Sequence, residues 1–141
     1  MKRALAFAWA PVAVLILHAI LESIFGSRVD PYMHVLGGAA CQYFFYNVLS
    51  LPFSWIGALT RFAKTIFAFT LTCTIATLWE LGEFVCDRYI GTHLQESVPE
   101  TIGDLALGLL GAIIVLITTL ALKNYENRTA SSNSNAPERA I

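Results

Sequence analysis

Three short stretches hold residue types able to do chemistry. Asp30-Pro-Tyr-Met-His34 sets a carboxylate and an imidazole four residues apart. On a helix that is one turn, where the carboxylate can orient an imidazole that ligates a metal. The run Trp79-Glu-Leu-Gly-Glu-Phe-Val-Cys-Asp87 puts Glu80, Glu83 and Asp87 at i, i+3 and i+7, on one helix face. Ser97-Val-Pro-Glu100 has the form of a capping box and is followed by Asp104, which would sit nearly two turns into a helix. The candidate metal ligands are therefore His34, Glu80, Glu83 and Asp87, with Asp30 behind the imidazole. Glu80, Glu83 and Asp104 are the candidate acid–base groups. A mixed nitrogen and carboxylate set suits a divalent zinc, manganese or iron ion, whereas magnesium or calcium would want oxygen alone.

The constellation is strongly acidic. Asp30, Glu80, Glu83, Asp87 and Asp104 face only Arg28, Arg88 and two nearby histidines. Brought together, so many carboxylates either bind a cation or hold protons. Arg28 and Arg88 are candidates for holding a substrate phosphate. The plainer reading leaves each acid in water, screened by salt. It suits Glu96 and Glu100, and it suits Glu80 and Glu83 least, because Trp79 and Phe84 flank them. Asp30 is also placed to cap a helix, with Pro31 at the first helical position. His18 and Glu22 form another i, i+4 pair. A haem between His18 and His34 would need rings at equal depth facing each other, and is disfavoured. Cys41, Cys73 and Cys86 form no CxxC pair and read as small buried residues. There is no Gly-rich phosphate loop and no GxSxG sequence.

The elements that must position these groups follow from composition. The chain has 141 residues, 56% hydrophobic and 13% charged; a soluble domain carries roughly 25% charged residues. A disordered chain is excluded and a water-soluble globule disfavoured. A net charge of −1 excludes a general nucleic-acid binder, which needs a basic face. Apolar runs cover about residues 4–25, 31–51, 62–86 and 98–122, each near the ~20 residues that cross a bilayer as a helix. None alternates with period two. The expected fold is all-α: a polytopic integral membrane protein with a bundle of four transmembrane helices over 1–123. The first run is read as a retained helix rather than a signal peptide, since no small-x-small cleavage site follows it. Polar residues 124–141 are expected to form a disordered cytoplasmic tail.

Lys2, Arg3, Arg61, Lys64, Lys123, Arg128 and Arg139 fall on one side of that topology, and only Arg28 and Arg88 on the other. The positive-inside rule then puts both termini in the cytoplasm. Eight of the ten acids fall at the opposite, outer side. Trp9, Trp55, Trp79 and Tyr89 lie near span ends, as interfacial aromatics do. Gly37-Gly38-Ala39-Ala40 in the second run, and Gly103, Gly108, Gly111 and Ala112 in the fourth, would let those two helices approach closely in lipid.

DPYMH, WELGEFVCD and the series Gly91, Gln95, Glu100-Thr101, Asp104 resemble the YjdF-like bacterial inner-membrane proteins, relatives of the VanZ-like proteins. The VanZ-like pattern has an Asp and a His four apart, matched by Asp30 and His34, then an Asp with an Asn at +4 and a Gly at +7. Asp104 and Gly111 match it, while Gly108 replaces the Asn. The resemblance spans about Asp30 to Gly111. It implies a multi-pass location in the bacterial inner membrane and no particular chemistry. The residues themselves suggest an outward-facing, metal-dependent enzyme acting on a lipid head group or lipid-linked substrate. The alternatives are a structural or partner-binding membrane protein and, less favoured, a proton- or cation-coupled transport component, since no acid marks the cytoplasmic half of any span. The oligomeric state stays open.

Overall fold

The computed structural model describes residues 2–52 and 57–134. Trp55 and the end of the expected tail, 135–141, lie outside the described residues. The described residues form helices and connecting turns, with no strand among them. One turn of helix, α1 (Lys2–Leu5), precedes α2 (Trp9–Phe25). The two are separate because Pro11 has no N–H for the Phe7 carbonyl, which breaks the helical ladder there. A tight turn at Gly26–Val29 leads into α3 (Asp30–Leu49), and α4 (Arg61–Ile90) and α5 (Val98–Ser134) follow.

Local chemistry sets several of these ends. The Thr60 hydroxyl caps α4 by accepting from the Ala63 N–H at 3.2 Å. Gly91 ends α4 with φ +80, a left-handed conformation that favours glycine. The capping box at α5 is present: the Glu100 N–H donates to the Ser97 hydroxyl at 3.3 Å, and the Glu100 carboxylate accepts from the Ser97 N–H at 3.1 Å. Asp30 does not act as the expected cap. The chain enters α3 directly from the preceding turn, Asp30 is itself helical at φ −55 and ψ −48, and no side chain caps that end. α5 also runs past Leu122, so 124–134 is helical where a disordered tail was expected. Extending an existing helix adds one hydrogen bond per residue fixed, without a new nucleus.

Three stretches are long and apolar enough to cross a membrane: Trp9–Leu49, Arg61–Ile90 and Val98–Leu122. The first has 41 residues and would measure about 60 Å as one straight helix, twice a bilayer core. It is not straight. Gly26, at φ +67, lets the chain reverse, and α2 folds back along α3. Trp9 and Phe7 pack edge-on against Tyr43 at centroid distances of 6.0 and 6.5 Å.

α3 is the hub and packs on α2, α4 and α5. α5 runs in the same direction as α3, and small residues bring the two backbones together. A Cβ at Gly38 would overlap the Gly108 carbonyl, and one at Gly111 would overlap the Val35 carbonyl. Ala112 is fully buried in the same seam. α4 runs antiparallel to α3. Within the apolar 18-residue window of each stretch, only 6% of the first and 17% of each of the others is buried inside the chain. The exposed remainder is Leu, Ile, Val and Phe in large part, a surface made for lipid rather than water.

Candidate functional site

The helix ends carrying the acids converge. His34, in the second turn of α3, is mostly buried, and its two ring nitrogens face different carboxylates. Nε2 lies 3.5 Å from Asp30 Oδ1 and 4.0 Å from Asp104 Oδ1. Nδ1 lies 3.7 Å from Glu80 Oε1. Glu80 and Asp104 are buried, at 5% and 6% exposure, which is costly for carboxylates unless something compensates their charge. One ligand atom from each of Asp30, His34 and Asp104 can be chosen so that all three lie within 4.8 Å of one another. Ligands of a tetrahedral zinc stand about 3.4 Å apart, so closing around such an ion takes only a small contraction.

The glycine seam is the reason Asp104 is here. With α3 and α5 backbones touching at Gly38–Gly108 and Val35–Gly111, the residue one turn before Gly108 on α5 arrives beside the residue one turn before Gly38 on α3. Those residues are Asp104 and His34.

The geometry divides the sequence candidates. His34, Glu80, Asp104 and Asp30 come together. Asp30 and Asp104 share the Nε2 side of His34, while Glu80 stands on the Nδ1 side. Helical spacing could not reveal this, because i, i+4 puts a carboxylate beside a ring without saying which nitrogen it meets. Glu83 is placed elsewhere: its Oε1 accepts from the Trp79 indole at 2.6 Å. Asp87 is placed in a loop clamp, where Oδ1 accepts from the Thr92 hydroxyl at 2.6 Å and the Leu94 N–H at 2.8 Å, and Oδ2 from the Gln95 N–H at 2.9 Å. Both of its oxygens are thus committed to holding 92–95. Arg28 and Arg88 are exposed.

Three further residues, His18, Glu22 and Gln95, join the cluster. His18 Nε2 lies 3.2 Å from the same Asp30 oxygen and 3.7 Å from Glu22. The signal was available in the turn: His18 is eight residues before Gly26 and His34 eight after, so a hairpin reversed at Gly26 sets them at equal depth. Gln95 Nε2 donates to the Glu80 carbonyl at 3.0 Å and to Glu80 Oε2 at 3.4 Å. No spacing rule predicts that contact, since it depends on the Asp87 clamp folding the loop back. The result is a chain of polar groups, Glu22–His18–Asp30–His34–Glu80 with Asp104 alongside, threaded through all four long helices.

An all-helical membrane protein with an imidazole–carboxylate cluster at one end of its bundle is the class these features define. The chain belongs to the family described as predicted membrane protein (DUF2238), whose model matches residues 13–125, a range that includes every residue of the cluster. It is also similar to an uncharacterized protein of Thermotoga maritima, 28% identical over 101 residues, which are 71% of this chain and 49% of that one. The chain thus spans about half the length of this curated relative. No solved structure matches.

Proposed function

We propose that the protein is a four-span membrane enzyme that binds one divalent metal ion at Asp30, His34 and Asp104 and uses it on a lipid head group or lipid-linked substrate. The observation that carries this reading is the mutual approach of the three ligand atoms, two of them carboxylate oxygens on the Nε2 side of one imidazole. Zinc, manganese and iron are the ions this donor set suits. Glu80, on the far nitrogen, fits the outer carboxylate that fixes the tautomer and orientation of a ligating histidine. The metal would supply a polarised water; Glu80, Asp104 and, from the adjoining mouth, Glu83 are the acid–base candidates.

The membrane placement belongs to the same proposal. The fold-back at Gly26 makes Trp9–Leu49 two crossings, which with α4 and α5 gives four. The excess of Lys and Arg then sets both termini in the cytoplasm and the cluster at the outer side of a bacterial inner membrane. Kinship with the YjdF-like and VanZ-like proteins rests on Asp30, His34, Asp104 and Gly111.

The same distances favour a second reading, in which protonated His18 and His34 are the counter-ions and the cluster locks the helices together without a metal. A titration separates the two. Chelator-stripped protein in detergent should gain several degrees in unfolding midpoint on adding stoichiometric zinc or manganese, because an ion that binds only the folded state stabilises it. His34→Ala should abolish the gain. A wild type indifferent to both metals would leave the ion-paired lock.

A further inference from the structure

α2 rests on α3 and leaves a gap toward α4, and two adjoining cavities fill that gap. The inner one, about 220 Å³, is walled by Pro11, Val14, Gly37, Cys41, Ile75 and Ala76, with His18 and His34 also in its lining. The outer one, about 480 Å³, is a mouth lined by Glu22, Asp30, Glu83, Glu96 and Glu100 together with His18 and His93 and, among the described residues, no Lys or Arg. Leu15, His18 and Trp79 line both and form the neck between them.

The two halves ask for opposite chemistries in one ligand. The inner cavity is larger than the roughly 150 Å³ apolar void that accepts benzene in a protein core, and the helices around it face lipid. The mouth sets five carboxylates against two imidazoles. Glu83 commits one oxygen to Trp79, leaving the other for a ligand, and among the described residues Glu22 reaches only His18, at 3.7 Å. A phosphate entering that mouth would meet like charge on most sides, while an ammonium would gain charge-assisted hydrogen bonds.

We propose that this slot binds a membrane amphiphile with one apolar chain and a protonated amine head group, the chain lying between α2, α3 and α4 and the ammonium among Glu22, Glu83 and Glu96. This deepens the function proposed above by naming the chemistry of the substrate, and it rests on that reading for what happens to the amphiphile once bound. The polar cluster borders the slot at His18, Asp30 and His34, so an ammonium in the mouth lies next to the metal ligands.

The test uses the full chain in digitonin micelles, which offer no alkyl chain to compete, and reads the unfolding midpoint against dodecylamine, dodecyl phosphate, dodecanol and propylamine. Dodecylamine should raise the midpoint, and the other three should not. Gly37→Leu is the occluding variant. A Cβ there meets nothing within 4 Å, and replacing a helical glycine favours the helix, so the fold should be retained. The added side chain should weaken dodecylamine binding about tenfold by displacing roughly two methylenes. Glu22→Gln with Glu83→Gln should weaken it by about the same factor. Equal stabilisation by dodecyl phosphate or dodecanol, no response to dodecylamine, or an unchanged response in Gly37→Leu would each overturn the slot. Zinc binding is read in parallel. A wild type that binds dodecylamine but no zinc defeats the metal reading and keeps the slot; one that binds zinc but no dodecylamine keeps the metal and defeats the slot.

Discussion

α3 carries two buried polar groups eight residues apart, and they are built on opposite principles. At Gln42 every interaction is neutral. Its Nε2 donates to the Thr65 carbonyl at 3.3 Å, and its Oε1 lies 3.4 Å from the Thr72 hydroxyl, itself 2.9 Å from the Ala68 carbonyl. Gln42, Thr65 and Thr72 are 1%, 0% and 2% exposed. Each buried polar side-chain atom there has a partner within the protein, as interhelical hydrogen bonding in lipid favours. At His34, two turns away, three carboxylates converge on one imidazole, with a second imidazole behind Asp30. The balance there closes only with an added cation, whether proton or metal. The first group joins α3 to α4 and stops. In the function proposed above the second is an open set of ligands, and that difference would separate structure from function in this molecule.

The change with the largest expected effect opens the α3–α5 seam that brings Asp104 to His34. Gly111→Ala drives a methyl into the Val35 carbonyl, so α3 and α5 must part, at a cost of about 1–3 kcal/mol or more. The expected result is loss of folded protein, read as monodisperse material after detergent extraction. Next is Glu80→Gln, which leaves the three proposed ligands in place but weakens the outer partner of His34. Metal affinity should fall about 10- to 100-fold in a competition titration, with the neutral group untouched. Asp87→Asn should come third: it exchanges a charged acceptor of three hydrogen bonds for an amide, costing on the order of 1–2 kcal/mol. Faster hydrogen exchange at 92–95 would report the loosened clamp. Thr72→Val is the mildest. It removes one interhelical hydrogen bond worth about 0.6 kcal/mol in lipid, visible as a small drop in unfolding midpoint with metal affinity unchanged. If Thr72→Val altered metal affinity as much as Glu80→Gln, the two groups would not be distinct.

The sequence was a good guide wherever the signal is local. Apolar runs mark the helices, Ser97 and Glu100 mark the start of α5, and the glycines of α3 and α5 mark the seam. It was a poorer guide wherever a turn decides. Asp30 has the residue type of a cap, yet the turn at Gly26–Val29 carries it into the helix and frees its carboxylate for two histidines. Asp87 shares a helix face with Glu80 and Glu83, yet three donors from the following loop claim it first. Gln42 is hidden in an apolar run, and attention to charge alone passes over a neutral amide.

The central claim is a stoichiometric metal at the Nε2 side of His34. Elemental analysis of protein purified without chelator, alongside Asp104→Asn and Thr72→Val, tests it most directly. About one zinc, manganese or iron per chain is expected in the wild type and in Thr72→Val, and little in Asp104→Asn, because the amide is a weaker ligand without charge. Equal metal in all three, or none in the wild type even after incubation with each ion, would contradict it.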